Sequence, residues 1–140
     1  MGMKRIVMLL IVSLALTASC KKIVEDTKKA FVLDVITDGQ WYIKSYEEAG
    51  SLITSQFNGY KFQFYEDLKL TAFKGASTVD GTWTGDITNY SVTTNFADAT
   101  EPLNKLNGTW ILKDSGDNYV IAEMDTNQGK MHLTLEKVPA

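Results

Sequence analysis

Arginine is almost absent from this chain of 140 residues: Arg5 is the only one, and Lys and Arg together number 14 against 17 Asp and Glu. Beyond residue 19 the balance is 12 Lys against 17 acidic residues, a net charge of −5. Arg supplies the bidentate contacts with which proteins grip phosphates and bases. An acidic domain without Arg is therefore poorly suited to nucleic acid, and we exclude a nucleic-acid partner.

Histidine and cysteine occur once each, as His132 and Cys20. A general base needs a nucleophile and an orienting group beside it, and a lone His on a strand is more often structural or solvated. The neighbouring carboxylates of Glu47–Glu48 and Glu66–Asp67 point to opposite faces of a strand or lie in turns, so they form no acid–base pair by spacing. Asp114–Asp117 lacks the spacing of a calcium loop. We therefore predict no enzymatic activity, no metal site and no cofactor.

Long apolar runs are also missing, apart from Ile6–Leu16, which is about eleven residues and well short of the roughly twenty that span a bilayer. Lys4 and Arg5 precede this run, and Thr17-Ala18-Ser19-Cys20 follows it. A positively charged N-terminal region, a short apolar stretch and small residues before a cleavage site are typical of a secretion signal. We predict that residues 1–19 form a lipoprotein signal peptide and that Cys20 becomes the lipid-bearing N-terminus.

Lipidation at Cys20 has consequences for location. A diacyl chain together with an amide-linked acyl group exceeds the two hydrophobic signals that stable anchoring requires. The lipid on Cys20 would therefore attach the protein to a membrane while its folded part stays in water. We expect a lipid-anchored protein of the cell envelope, at the outer membrane.

The remaining 120 or so residues suit one domain with one core. Residues 20–29 are predicted to be the lipidated Cys and a polar tether, and residues 30–140 the folded domain. Apolar residues at helical spacing predict a short helix over Val24–Ile36, and Gly39 is a plausible stop for it.

From Gln40 onward the apolar residues recur with a period of two, which is typical of half-buried strands. Turn-forming clusters such as Lys74–Gly75 and Gly85–Asp86 separate the segments. The rhythm breaks at Asp98–Leu106, where Pro102–Leu106 is predicted to form a helical turn or lid-like loop. The predicted strands are Gln40–Tyr46, Tyr60–Tyr65, Leu68–Ala72, Val79–Asp86, Tyr90–Phe96, Thr109–Lys113, Asn118–Met124 and Lys130–Lys137.

Eight short sequential antiparallel strands can close into an up-and-down barrel, which removes the exposed edges of the sheet. The expected fold is therefore mainly β, an eight-stranded lipocalin-like barrel with a short N-terminal helix. A sandwich or an open meander covered by the helix remains an alternative.

Each of the three tryptophans has a glycine two places before it: Gly39-Gln40-Trp41, Gly81-Thr82-Trp83 and Gly108-Thr109-Trp110. Glycine lets a backbone bend or approach a neighbour closely as a strand begins. A Trp two residues later points to the same face and fills the interior with a large ring. We predict that all three indoles lie inside the barrel, near the starts of strands.

These motifs carry a family resemblance. Gly39-Gln40-Trp41 resembles the opening Gly-x-Trp motif of lipocalins, and the order of motifs over residues 24–138 is similar to that of small lipocalin-like lipoproteins of Bacteroidetes. The resemblance implies a barrel whose base is closed by an Arg near the last strand, stacked across the first Trp. This chain has no Arg there, and Lys137 is the residue that could occupy the place.

Two functions follow as hypotheses. In the first, the barrel holds a small apolar or amphipathic ligand. Eight-stranded barrels can hold one small ligand or be filled by their own side chains. The expected pocket residues are Trp41, Tyr60, Phe62, Phe64, Trp83, Phe96 and Trp110.

In the second, the core is filled and the protein binds an envelope protein partner, as an inhibitor or accessory subunit. Aromatic residues on the outward face would then serve the interface, where Tyr is a favoured residue. They would otherwise pair with neighbours across strands. The residues predicted on that face are Tyr42, Tyr46, Tyr65, Phe73 and Tyr119.

Overall fold

The structure is a computed structural model that describes residues 35–139. The predicted signal peptide, Cys20, the tether and most of the predicted helix over Val24–Ile36 lie outside these residues. Val35 and Ile36 are helical, and a turn that includes Gly39 at a φ of 75° follows them. Within residues 35–139, no helix is long and apolar enough to cross a membrane.

Strands make up most of the described chain, with two short 3-10 helices between them. Buried and exposed residues alternate along most strands because successive side chains point to opposite faces. The strands are β1 (Trp41–Glu48), β2 (Ser51–Leu52), β3 (Tyr60–Phe64), β4 (Lys69–Lys74), β5 (Ser77–Asp86), β6 (Ser91–Asn95), β7 (Gly108–Ser115), β8 (Tyr119–Thr126) and β9 (Gly129–Lys137). The 3-10 helices are Thr54–Phe57 and Leu103–Leu106.

Eight of these strands form a closed antiparallel barrel. From β3 to β9, each strand pairs with the next along the chain, and β9 returns to pair with β1 from Trp41↔Lys137 to Glu48↔Met131. β1 meets β3 at Trp41↔Phe62, and β2 is an extra short strand on the end of β1. The predicted mainly-β, eight-stranded up-and-down barrel is confirmed, and the sandwich and the open meander are wrong.

The two ends of the barrel differ. At the end that we call the base, β1 begins at Trp41 and β9 ends at Lys137. At the other end, the mouth, β1 ends, β9 begins and residues 96–107 connect β6 to β7. We call residues 96–107 the lid. The helical turn predicted within it is confirmed by the 3-10 helix Leu103–Leu106.

One residue of β1 lies on the opposite face from that predicted. Strict alternation from Trp41 and Ile43 points Tyr46 outward, yet its side chain is only 1% exposed. A β-bulge between Ile43 and Ser45 inserts Lys44 into the ladder, and every later residue of β1 changes face. Tyr46 is therefore a core residue, and its prediction as an outward one is wrong.

Three local features also differ from the sequence prediction. β2 and the 3-10 helix Thr54–Phe57 were not expected, although Phe57 is buried and stacks on Tyr46 with ring centroids 5.2 Å apart. Gly85 and Asp86, expected to form a turn, end β5, and the turn follows them. Trp83 is the seventh of ten residues in β5 and so does not lie near the start of its strand.

Candidate functional site

The base of the barrel is closed by the segment that precedes β1. The Trp41 indole N–H donates to the Ile36 carbonyl over 3.0 Å, and both residues are buried. The Lys137 ammonium lies 5.5 Å from the centre of the Trp41 ring and 3.0 Å from an Asp38 carboxylate oxygen. A cation over an indole face is a favourable arrangement. Lys137 thus occupies the place that the resemblance gives to an arginine.

The mouth is closed by the lid. The Leu106 carbonyl accepts hydrogen bonds from the Trp110 indole over 2.9 Å and from the Thr94 hydroxyl. The Tyr46 hydroxyl donates to the Lys105 carbonyl over 2.7 Å. Burial raises the pKa of Tyr46 to about 12, so its hydroxyl keeps the proton that it donates. Side chains from the barrel wall therefore hold the lid across the mouth.

Trp83 fixes the turn between β3 and β4. The Trp83 indole N–H donates to the Tyr65 carbonyl over 2.9 Å, and the ring meets Phe64 edge to face with centroids 5.7 Å apart. At Gly81, two residues earlier, a Cβ atom would lie 2.8 Å from the Phe96 ring. Glycine is thus required there for the close approach that the Gly-x-Trp pattern predicts.

The residues predicted to line a pocket are brought together only in part. Tyr60 is half-buried, stacks on Phe62 with centroids 6.1 Å apart and lies under the Lys74 ammonium. The other six are buried, namely Trp41, Phe62, Phe64, Trp83, Phe96 and Trp110. An interior cavity touches four of these seven residues, Phe62, Phe64, Phe96 and Trp110.

This cavity is small and apolar. Its volume is about 50 Å³. Known ligand pockets are roughly 300–1,000 Å³, and even an apolar cavity that takes benzene is about 150 Å³. Thr94 is the one polar side chain in its lining, and its hydroxyl is already bonded to the lid. Ile36 from the base and Leu106 from the lid also line it, so the interior is nearly filled between two closed ends.

A larger concavity lies outside the barrel, at the mouth. We call it the mouth groove, and its volume is about 380 Å³. The end of β1, the lid and the β8–β9 hairpin form it. Its lining residues are Tyr46, Glu48, Glu101, Asn104, Lys105, Asn107, Met124, Thr126, Asn127, Gln128 and Met131.

The mouth groove was not found from the sequence. Its residues come from segments as far apart as Tyr46 and Met131 and share no motif. The one sequence signal near it was the break in strand rhythm at Asp98–Leu106, which became the lid. The groove is held in shape by an ion pair between Lys105 and Glu48 over 2.9 Å, with both side chains mostly buried.

The outer face of β8 and β9 carries the single histidine. His132 Nδ1 lies 3.3 Å from a Glu123 carboxylate oxygen, and Lys130 approaches the other oxygen at 3.4 Å. Although desolvation acts to raise it, the pKa of Glu123 is lowered by Lys130, Lys113 and His132 together. Within residues 35–139, no three His, Asp or Glu side chains are grouped closely enough to hold a metal ion.

The four remaining aromatic residues predicted to face outward are half-buried, namely Tyr42, Tyr65, Phe73 and Tyr119. Tyr42 donates to Glu136 over 2.8 Å, and Tyr119 donates to Asp114 over 3.1 Å. The accepting carboxylates raise the pKa of each tyrosine. The Tyr42 and Tyr119 hydroxyls are therefore already paired within the wall, and none of the four side chains is fully exposed.

A solved structure with a similar fold is that of a DUF4847 family protein from Bacteroides vulgatus ATCC 8482. The TM-score is 0.58, the sequences are 15% identical, and the match covers 78% of this chain and 99% of that one. At this level of identity the likeness concerns the barrel fold alone. No protein-family model matches the chain, and no curated protein matches it either.

Proposed function

We propose that this chain is a non-catalytic, lipid-anchored protein of the cell envelope that binds a protein partner through the outside of a filled barrel. The anchor rests on the signal pattern and on Cys20, the only cysteine. The mode of binding rests on one observation. The interior offers about 50 Å³ between two closed ends, whereas the mouth groove offers about 380 Å³.

Filling of the barrel leaves the wall and the rims as recognition surfaces. An eight-stranded barrel is just wide enough for its own side chains to fill it. Here fifteen aromatic residues follow Cys20, and the bulkiest of those in the barrel point inward, among them Trp41, Tyr46, Trp83 and Phe96. A rigid, filled core supports binding by a surface that changes little when a partner docks.

Site-specific photo-crosslinking tests this proposal in living cells that produce the full chain. A photoreactive phenylalanine derivative replaces, in turn, Asn127 at the mouth, Thr84 and Lys61 on the wall, and Glu66 at the base. All four positions are exposed. We expect a discrete crosslink to an envelope protein from a contiguous subset of these positions. Absence of any crosslink from all four would contradict the proposal.

A second candidate function is the carriage of an apolar molecule inside the barrel. It is favoured by the apolar lining of the cavity and by the lid, which reaches the cavity through Leu106. A ligand of ordinary size would have to displace the lid. Native mass spectrometry of the detergent-extracted protein checks this: a small molecule that co-purifies at one equivalent would favour carriage over partner binding.

A further inference from the structure

The floor of the mouth groove includes two methionines and a tyrosine ring. Met131 is buried at 5% exposure, Met124 is half-buried, and the buried Tyr46 ring lies beside them. A Cβ atom at Gly108 would collide with the Met124 sulfur, so glycine there allows this side chain to pack against the start of β7. Methionine adapts its shape to varied apolar groups and is common at surfaces that bind peptides.

The walls of the groove carry amide side chains that are not used within the described chain. Asn107 is the exception, because its side-chain amide is already bonded within the lid: it accepts from the Phe96 N–H over 2.6 Å and donates to the Phe96 carbonyl over 3.2 Å. The side-chain amides of Asn104, Asn127 and Gln128 are exposed, and among residues 35–139 they have no hydrogen-bond partner. A side-chain amide both donates and accepts, as does a peptide backbone.

The charge of the groove is unbalanced. Lys105 neutralises Glu48 across 2.9 Å. Glu101, on the lid, is exposed and forms no ion pair with any residue in the part of the chain described, 35–139. The lining of the groove therefore carries one uncompensated negative charge, in a chain whose residues beyond 19 already have a net charge of −5. Such a surface favours a cationic ligand.

We propose that the mouth groove binds an extended basic segment of the protein partner, in which an Arg or Lys side chain pairs with Glu101. The segment's backbone pairs with Asn104, Asn127 and Gln128, and a neighbouring apolar side chain packs on Met124, which is half-buried. This inference rests on the proposed function and locates its interface. A neutral glycan fits less well because the one aromatic ring in the lining, Tyr46, is buried and offers no open face for a sugar.

The test is an NMR titration of the full-length protein in detergent micelles with two blocked pentapeptides. One has the sequence Ala-Leu-Arg-Leu-Ala, and the other has citrulline, which is neutral and nearly the same shape, in place of Arg. We expect saturable shifts of the side-chain amide signals of Asn104, Asn127 and Gln128. The Arg peptide should bind roughly fivefold more tightly, as one partly exposed ion pair allows.

Two matched variants test whether Glu101 causes the difference in affinity between the Arg peptide and the citrulline peptide. Glu101→Gln should make the two peptides bind equally, while Glu66→Gln, which changes an exposed carboxylate at the base, should leave the fivefold ratio intact. Equal binding of both peptides to the unaltered protein would overturn the proposal, as would shifts scattered outside the groove or no shifts at millimolar peptide. If di-N-acetylchitobiose shifted the same amide signals saturably and neither peptide did, the groove would be a glycan site, and the proposal of a peptide ligand would be wrong.

The crosslinking experiment separates this inference from the function on which it rests. Crosslinks from Asn127 support both. Crosslinks confined to Thr84, Lys61 or Glu66 would support a protein partner but would overturn the mouth groove as its binding site. No crosslink from any position would contradict the function itself.

Discussion

At the scale of single residues, each tryptophan joins a buried ring to a hydrogen bond that fixes a segment of backbone. Trp41 fixes the base, Trp110 the lid and Trp83 the β3–β4 turn. A buried indole N–H left without a partner would cost free energy, so the ring and its acceptor must be placed together. The tryptophans therefore act as internal ties between the wall of the barrel and its loops.

Trp83→Ala should lower the free energy of unfolding by about 3–5 kcal/mol because it removes a ring that is only 2% exposed and leaves a cavity. Urea denaturation followed by circular dichroism measures the change. Thr84→Ala, at the exposed neighbouring position, is the control and should stay within about 0.5 kcal/mol of the unaltered protein. Similar unfolding midpoints for the two variants would show that Trp83 is not a core residue.

A second prediction concerns Glu136, which accepts a hydrogen bond from Tyr42 and lies 3.1 Å from the Lys44 ammonium. The Tyr42 hydroxyl, followed by Lys44, lowers the pKa of this carboxyl. A carboxyl whose pKa falls on folding stabilises the fold above its unfolded value, about 4.3, and this stability is lost as the pH drops through the folded pKa. Glu136→Gln should therefore lower the melting temperature at pH 7.

Glu136→Gln and the unaltered protein should have the same melting temperature once the pH is well below about 4, because the side chain at position 136 is then neutral in both. Differential scanning calorimetry across this range measures the two curves. Glu66→Gln, which changes an exposed carboxylate in the β3–β4 turn, is the matched control. A melting difference for Glu136→Gln that is constant with pH would indicate that the loss is one of packing.

At the scale of elements, the lid is the segment whose position depends most on side chains. Strand ladders hold the wall through backbone pairs, whereas residues 96–107 are held to the wall by the side chains of Tyr46, Thr94 and Trp110. Leu103 and Leu106 bury their side chains beneath it. Segments of this kind open locally at lower free energy than the strands around them.

Leu106→Ala should therefore have two effects. It should lower the free energy of unfolding by about 2–5 kcal/mol and enlarge the apolar cavity that Leu106 lines. The enlarged cavity should bind benzene or xenon, as dry apolar cavities of engineered proteins do. Calorimetry and xenon NMR measure the two effects, with Leu52→Ala, at a side chain 74% exposed, as the control. Unchanged stability would mean that the lid does not close the barrel.

Much of this architecture was predictable from period-two alternation, which depends on the geometry of single strands. The eight wall strands were found in this way, and the helical turn in the lid was predicted where the alternation breaks. β2 was missed because two residues show no period. The bulge at Lys44 was missed because one inserted residue leaves no mark in composition, and it reversed the face of Tyr46. The mouth groove unites three separate parts of the chain, so no local pattern could reveal it.

At the scale of the whole molecule, closure removes the free edges of the sheet. Among the described strands, each of the eight long ones has at least two neighbours, and the short β2 is the extra strand at the rim. Sheet edges are sites of unwanted association between chains, and a closed barrel has few of them. A barrel with few free edges suits the proposed attachment through Cys20, because anchored copies would be crowded together on a membrane.

Cys20→Ala should release the protein from the membrane fraction because it removes the predicted lipid attachment site. The barrel should be unaffected, since its closed ring of strands lies within residues 35–139. Cell fractionation followed by immunoblotting measures the first effect, and the melting temperature of the released protein measures the second. Ser19→Gly, beside the same site, keeps the cysteine and should stay membrane-bound. A Cys20→Ala variant that remained in the membrane fraction would refute lipid anchoring.

The pairing of β1 with β9 also governs when the protein can fold. Trp41 and Lys137 are partners although they lie 96 positions apart in the chain. Proteins dominated by such distant pairings fold in roughly milliseconds to seconds, and ribosomes deliver about 5–20 residues each second. The barrel cannot close until its last strand has been synthesised, so the growing polypeptide remains open for several seconds. If the chain is exported as proposed, that delay would keep it unfolded, and so competent for translocation, while the signal peptide engages the secretion channel.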